Sequence, residues 1–219
     1  MLFHDHRHAG RELAARLVER AADGALRDPV VLALPRGGVP VAAEVARALG
    51  TSLDVVVARK IGAPGSPETG VGAIVGDEPP VYDRRSLELL GLTEEALAAD
   101  VERERTELRR REELYRGGRP APDVGGRTVL LVDDGLATGV TARAALRFLR
   151  RRDPARLVLA VPVGAPESAE SLRRDADDVV CPHRPRSFQS VGEWYEDFAQ
   201  VLDREVIDTL RAFGRPSRG

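Results

Sequence analysis

A short segment in the second half of the chain constrains the fold most. Its apolar run, Val129–Val132, is typical of a strand buried on both faces of a parallel sheet. Two acidic residues, Asp133 and Asp134, follow at the predicted strand end, and a loop of small residues then leads into a helical pattern over 142–149. This strand–loop–helix order predicts an α/β fold that binds its ligand at the carboxyl end of the central sheet.

The loop in this segment has the composition of an anion site. Gly135 and Gly139 allow a close backbone approach and positive φ angles. The N–H groups and the positive dipole end at the start of the helix favour a phosphate, and Thr138 and Thr141 add hydroxyl donors. The two aspartates would repel that phosphate. They require a donating partner, such as sugar hydroxyls or a magnesium ion with its waters.

Three other interpretations of the segment are weaker. A Walker phosphate loop would carry lysine before its Ser/Thr, where this chain has Val140. A response-regulator receiver would need a phosphoacceptor Asp after a later strand, but the next apolar strand, 156–161, runs into 162–164 without an acid. An ordinary strand–helix turn with surface acids leaves the pairing of acids and glycines unexplained. A sugar phosphate is therefore the favoured ligand.

The thirteen residues from Val129 to Thr141 resemble the phosphoribosyl pyrophosphate (PRPP) motif of the type I phosphoribosyltransferases. The resemblance implies that family's α/β fold, with a central, mainly parallel five-stranded sheet flanked by helices, a small hood and a flexible loop. It implies that Asp133 and Asp134 hold the ribose hydroxyls. It also implies that the 5′-phosphate is bound by the residues of the loop, Gly135, Leu136, Ala137, Thr138, Gly139, Val140 and Thr141.

A second glycine-containing loop follows the first predicted core strand, Val30–Leu34, and precedes a predicted helix over 41–49. Because a doubly wound sheet gathers ligands at its strand ends, this loop should lie near the acidic pair. It resembles the pyrophosphate loop of the family, which implies pyrophosphate binding by Arg36, Gly37 and Gly38. The resemblance also implies a non-proline cis peptide bond, which we expect at Arg36–Gly37. The alternative is a tight turn with a solvated arginine.

Two basic residues follow another predicted strand, 53–58, and precede a Gly/Pro-rich stretch over 61–70. The composition of that stretch predicts a loop. In type I enzymes a flexible loop near this position closes over the reacting centre, so the resemblance implies catalytic roles for Arg59 and Lys60 in neutralising the departing pyrophosphate. A solvated charge pair at the end of a strand is the alternative.

The aromatic residues gather near the C-terminal end, where the resemblance places part of the hood, over 181–200, with the rest in the N-terminal region. Phe188 and Trp194 are candidates for stacking an acceptor base, although Trp194 has the spacing expected of a residue that docks the final helix. We interpret His4, His6 and His8 as a polar lead-in to a helix over 9–22 rather than as a metal site.

The remaining patterns predict a hairpin over 71–75 and 80–82, a charged helical insertion over about 86–116, and a short strand at 178–180. We expect one domain over 1–219. The net charge of −2 and the interspersed acids argue against nucleic acid, and the single cysteine excludes an internal disulfide. The sequence lacks long apolar runs, which predicts a cytoplasmic protein that does not bind membranes.

The resemblance implies transfer of ribose 5-phosphate from PRPP to a nitrogenous acceptor, a nucleobase or related heterocycle, with release of pyrophosphate. It further implies Mg²⁺ held mainly by the substrate rather than by a protein metal site, and a homodimer. Ala137 stands where some purine-salvage members carry an aspartate, so no general base is assigned and the acceptor stays open. The alternative function is a non-catalytic regulator that senses PRPP on the same fold.

Overall fold

The computed structural model describes residues 2–213, apart from the side chains of residues 67 and 68. Its strands are β1 (Pro29–Ala33), β2 (Leu53–Val55), β3 (Ala58–Ala63), β4 (Ser66–Val75), β5 (Val81–Tyr82), β6 (Thr128–Val132), β7 (Arg156–Ala160) and β8 (Asp178–Val180). Its α-helices are α1 (His6–Ala22), α2 (Gly38–Leu49), α3 (Arg84–Leu90), α4 (Ala98–Arg116), α5 (Val140–Arg150), α6 (Pro166–Ser171) and α7 (Asp203–Phe213). No helix in this described part is long and apolar enough to cross a membrane.

Five strands form a parallel sheet in the order β2-β1-β6-β7-β8. Ala33 pairs with Val132, and Val132 with Ala160, so the carboxyl ends of the three central strands lie side by side. All five residues of β6 are buried. The predicted five-stranded α/β fold, flanked by helices, is confirmed.

Helices cover both faces of this sheet, which explains the unbroken apolar run of β6. Leu130 and Val132 pack into a core with residues of α1, α2 and α7. Val129 and Leu131 point to the opposite face and pack in a second core with α5. Because side chains alternate along a strand, a strand between two helical layers must be apolar at every position.

The remaining strands form an antiparallel sheet in the order β3-β4-β5. The stretch 61–70, predicted as a loop, is instead mostly a hairpin of β3 and β4, with Gly65 at φ +75° in its turn. Ile61 and Ile74 are fully buried, so the branched residues in and beside the stretch decide its structure over its glycines and prolines. The predicted hairpin over 71–75 and 80–82 is confirmed by the pairs Gly72–Tyr82 and Ala73–Val81.

The first helix begins three residues earlier than the sequence pattern predicts. The Asp5 side chain caps its N-terminus by accepting a hydrogen bond from the backbone N–H of His8 at 2.7 Å. The cap draws His6 into the first turn of α1. The charged segment folds as α3 and α4, separated at Gly91, which ends α3 in the left-handed conformation.

Candidate functional site

The corner between β6 and α5 lines a cleft of about 300 Å³. The strand ends at Val132, Gly139 takes a φ of +77°, and α5 begins at the next residue. Every predicted site residue of this corner lines the cleft, from Asp133 to Thr141, together with Lys60, Gly70 and Val191. The structure thus brings the predicted ribose and phosphate residues to a single concave surface.

The acidic pair in the cleft combines poor solvation with repulsion between like charges. Asp133 retains some solvent contact but is densely surrounded by protein, and this desolvation raises the pKa of its carboxyl well above the usual value. The neighbouring charge of Asp134 raises the pKa of Asp133 further. The Asp133 carboxylate accepts one hydrogen bond, from the backbone N–H of Asp134 at 2.9 Å. A cation or hydroxyl donors at this place would relieve the repulsion.

The loop after β1 lies directly against the acidic pair. A Cβ atom added to Gly37 would lie 1.8 Å from Asp134 Oδ2, and one added to Gly38 would lie 2.8 Å from the backbone oxygen of Val132. Only glycine fits such close contacts. The predicted pyrophosphate loop and the predicted ribose acids are therefore neighbours, as the parallel register requires.

Arg36 pairs with an acidic residue outside this loop. Its guanidinium Nη1 lies 3.6 Å from Oδ1 of Asp203, the first residue of α7. The hydroxyl of Tyr115, in α4, donates a hydrogen bond of 2.6 Å to the same oxygen. Burial, followed by this acidic partner, raises the pKa of the Tyr115 phenol above its usual value.

The cis peptide bond lies one position earlier than the sequence analysis placed it. It joins Pro35 to Arg36, whereas the prediction was Arg36–Gly37. The predicted position is wrong because the glycine pair belongs to the start of α2. Gly37 has φ −58° and ψ −35° and precedes Gly38, the first helical residue.

The two predicted catalytic residues both line a second cleft beside α4, but they differ at the cleft of the acidic pair. Arg59 Nη2 lies 2.6 Å from Glu104 Oε2, and Arg59 Nε donates to the same oxygen at 2.7 Å, so the guanidinium is held by α4. Lys60 instead lines the cleft, with its aliphatic stem against Gly70. Adjacent residues of a strand face opposite sides, so one can reach the cleft while the other does not. The catalytic roles of both stay predictions.

The two predicted acceptor-stacking residues stack on each other. The rings of Phe188 and Trp194 are 6.3 Å apart with an interplanar angle of 11°. They pack with the N-terminal residue Phe3 rather than with α7, and their neighbour Val191 lines the cleft beside Gly135. Trp194 ends a short 3-10 turn, Gly192–Trp194, and α7 begins only at Asp203, so the helical spacing that suggested docking of the final helix is not formed. A role in acceptor binding stays a prediction.

His6 lies at the acidic pair, which the sequence analysis missed. Its Nε2 is 3.5 Å from Asp134 Oδ2, and its side chain is 9% exposed. Its ring stacks on Phe198 at 5.0 Å and packs against Tyr195 at 5.1 Å. A capping acid at Asp5 with a histidine in the first turn was the available signal, but nothing local connects that turn to Asp134.

The other two histidines of the lead-in lie at the surface. His4 Nδ1 is 2.9 Å from Glu196, and His8 Nε2 is 3.2 Å from Glu12. Within the described residues, no group of three or more His, Cys, Asp or Glu side chains is arranged to hold a metal ion. The acidic pair is nevertheless the kind of oxygen donor set that Mg²⁺ prefers, and its mutual repulsion suits a cation.

Curated relatives align with most of this chain at 42% identity. The chain is 42% identical over 209 residues to a Mycobacterium tuberculosis protein named "Putative phosphoribosyl transferase Rv0571c", and the match covers 95% of this chain and 46% of that protein. The chain thus spans about half the length of the curated relatives it matches. A shorter match, 42% identical over 57 residues, links 26% of this chain to 27% of the uracil phosphoribosyltransferase of Clostridium beijerinckii.

Solved structures and a family model agree with the fold described above. The TT1426 protein from Thermus thermophilus has a TM-score of 0.78 and 45% identity, covering 97% of this chain and 99% of its own. The AQ2163 protein from Aquifex aeolicus, at 12% identity and a TM-score of 0.53, covers 94% of this chain and 85% of its own and shares the fold. A model of the phosphoribosyl transferase domain matches residues 3–197. The chain therefore belongs to the phosphoribosyltransferase domain family.

Proposed function

We propose that this protein transfers ribose 5-phosphate from PRPP to a nitrogenous acceptor and releases pyrophosphate. The observation that carries the proposal is the cleft at the end of β6. In it a carboxylate pair, a glycine-containing loop, the N-terminus of α5 and Lys60 face the same space. That arrangement offers acceptors for hydroxyls and donors for phosphates within the length of a single sugar phosphate.

The loop of residues 135–141 would hold the 5′-phosphate. The left-handed Gly139 turns the chain into α5, so backbone N–H groups and the helix dipole converge on the cleft. Thr138 and Thr141 add hydroxyl donors there. These fixed dipoles need no reorganisation when the phosphate binds.

Asp133 and Asp134 would accept hydrogen bonds from the ribose hydroxyls. Desolvation and then repulsion from Asp134 raise the pKa of Asp133, and two hydroxyl donors would offset both effects. When bound, Mg²⁺ would supply neutralising charge to the pyrophosphate oxygens, and the two carboxylates are the residues here that could contact it. We propose that the substrate supplies most of its ligands.

Arg36, Gly37, Gly38 and Lys60 would receive the pyrophosphate. As the bond from the sugar C1′ to pyrophosphate breaks, negative charge grows on the departing oxygen, and cations fixed beside it stabilise that charge. Lys60 approaches from the β3–β4 hairpin, which we propose as the element that covers the reacting centre and excludes water. Arg59 would fix the hairpin to α4 through Glu104.

We propose a nucleobase or related heterocycle as the acceptor. The stacked Phe188–Trp194 pair lies next to Val191, which lines the cleft, and aromatic faces suit a flat ring. The relative named uracil phosphoribosyltransferase supports the same class. Ala137 offers no carboxylate as a general base. A homodimer and cytoplasmic location remain part of the proposal.

A pyrophosphate-release assay with PRPP, Mg²⁺ and a panel of nucleobases tests the proposal. We expect release that requires one of the bases and that disappears in an Asp134→Asn variant. An Asp77→Asn variant is the matched control, because Asp77 is an exposed acid paired with Arg109. PRPP binding without turnover on any base, together with tight RNA or DNA binding, would instead establish the alternative function, a PRPP-sensing regulator.

A further inference from the structure

His6 is a buried polar residue with an unsatisfied ring nitrogen. Its side chain is 9% exposed, and within the described residues its Nε2 atom has no hydrogen-bond partner. A buried polar nitrogen without a partner costs free energy, so stability alone is a poor reason for a histidine here. The nearest acceptor is Asp134 Oδ2, at 3.5 Å, within the range of an ion pair but outside hydrogen-bond geometry.

The surroundings of His6 fix the ring in place. Phe198 stacks on it with an interplanar angle of 24°, and Tyr195 packs at 32° on the same cluster. Asp5 caps the helix turn that carries it. The ring therefore has little freedom to swing away from Asp134.

The N-terminal segment is itself tied to the C-terminal region. Leu2 and Phe3 donate backbone hydrogen bonds to the Trp194 oxygen, at 2.9 and 2.8 Å. The N–H groups of Glu196 and Asp197 donate in return to the backbone oxygens of Phe3 and His4, each at 2.8 Å. These bonds hold the start of α1 over the acidic pair.

Asp134 is consequently enclosed by three separate segments. The Tyr195 hydroxyl donates a hydrogen bond of 2.5 Å to its backbone oxygen. His6 lies beside its carboxylate, and Gly37 lies against the same carboxylate oxygen. Burial and the two acidic charges raise the pKa of Tyr195, so its hydroxyl stays a donor. A carboxylate confined in this way can present only one orientation to a ligand.

We propose that His6 is a positioning residue for the ribose site: when PRPP binds, the 3.5 Å contact from its Nε2–H to the Asp134 carboxylate shortens to a hydrogen bond that orients this carboxylate as an acceptor for a ribose hydroxyl. The inference rests on the proposed function, since it concerns how the same site holds PRPP. It makes His6 a support of the substrate site, although this residue is distant in sequence from the motif. His6 itself acts through Asp134 and need not touch the sugar.

Calorimetric titration of PRPP with Mg²⁺ into three variants tests this proposal. His6→Phe keeps a ring for stacking on Phe198 but removes the donor, and we expect PRPP affinity to fall about 10- to 100-fold, as for loss of a hydrogen bond to a charged group. His6→Gln carries an amide N–H with similar reach and should bind within about 3-fold of wild type. His4→Ala, at an exposed histidine, should bind like wild type.

Thermal unfolding of the same variants separates positioning from packing. If His6→Phe binds PRPP as tightly as wild type, the proposal is wrong. If His6→Gln fails to restore affinity and both variants lose affinity in proportion to their melting temperature, the role is structural and the proposal is also wrong. Should His6→Phe not fold, His6→Leu replaces it in the same comparison. Failure of wild type to bind PRPP would refute the proposed function itself, a distinct result.

Discussion

The two parts of the candidate site are built in different ways. The corner at 129–141 is one continuous stretch, in which strand, acids, loop and helix follow one another. The end cluster, which we define as Phe3, His6, Tyr195 and Phe198, joins the N-terminal segment to residues 195–198 through ring contacts. The first part is specified by local conformation and the second by tertiary packing. Asp134 is the residue at which they meet.

This difference predicts which mutations affect binding alone and which also affect stability. Changes in the corner should remove binding with little effect on stability, because its polar groups face the cleft. Changes at Phe3, Tyr195 and Phe198 should alter binding and stability together, because these rings pack against one another. The loss of binding should therefore be greatest at the acidic pair and smallest at the rings that support it.

Asp134→Asn should weaken PRPP binding about 100-fold, because a neutral amide oxygen is a weaker acceptor of hydroxyl hydrogen bonds than an ionised carboxylate. The amide has nearly the same shape, so the melting temperature should stay close to that of wild type. Calorimetry and thermal unfolding measure the two effects, with Asp77→Asn as the surface control. Unchanged PRPP affinity would show that the acidic pair does not bind the ribose hydroxyls.

Lys60→Ala should lower kcat/KM about 100-fold, the effect of losing one group that stabilises transition-state charge. Arg59→Ala should lower it much less, since Arg59 is paired with Glu104 outside the cleft. It should instead reduce the melting temperature by leaving Glu104 without that partner. Steady-state kinetics on the acceptor found in the pyrophosphate assay gives both values. If Arg59→Ala lowered kcat/KM as much as Lys60→Ala, the assignment of Lys60 alone to the cleft would be wrong.

Gly37→Ala should weaken PRPP binding about 10-fold and lower the free energy of unfolding by about 1–3 kcal/mol, because the methyl group would overlap the Asp134 carboxylate. Gly125→Ala is the matched control, since the nearest atom to its added Cβ is 3.3 Å away. Denaturant unfolding and calorimetry separate the two effects. If Gly37→Ala bound PRPP with normal affinity, the Asp134 carboxylate would be free to move, and close packing against Gly37 would not fix its position.

Tyr195→Phe should lower the free energy of unfolding by about 1 kcal/mol, because it removes one hydrogen bond and leaves the Asp134 carbonyl without that donor. For a chain of this length the melting temperature should fall by about 2–4 °C. Its PRPP affinity should fall less than that of His6→Phe, since the lost bond is to the backbone and not to the carboxylate. If Tyr195→Phe lost more PRPP affinity than His6→Phe, the end cluster would position the Asp134 backbone rather than its carboxylate.

The corner could be predicted because each of its signals is local. An apolar strand, two acids, glycines and a helix start occur within thirteen residues, so the sequence alone indicates what they build. The parallel sheet then follows from strands that alternate with helices. Family membership is consistent with the same conclusion.

Other features depended on contacts that the local sequence does not contain. Residues 61–70 have a loop composition, but Ile61 is fully buried and draws the stretch into a hairpin. Arg59 and Lys60 look equivalent in the sequence, but Arg59 pairs with Glu104 on α4 whereas Lys60 lines the cleft. His6 looked like part of a polar lead-in because its aromatic neighbours, Tyr195 and Phe198, are almost the whole chain away.

The central claim is that one corner of the sheet holds both ends of an activated pentose. A crystal structure of the protein with PRPP and Mg²⁺ tests it most directly. We predict the ribose hydroxyls on Asp133 and Asp134 and the 5′-phosphate on the loop of residues 135–141. PRPP bound elsewhere, or bound with its phosphate away from the start of α5, would contradict the account.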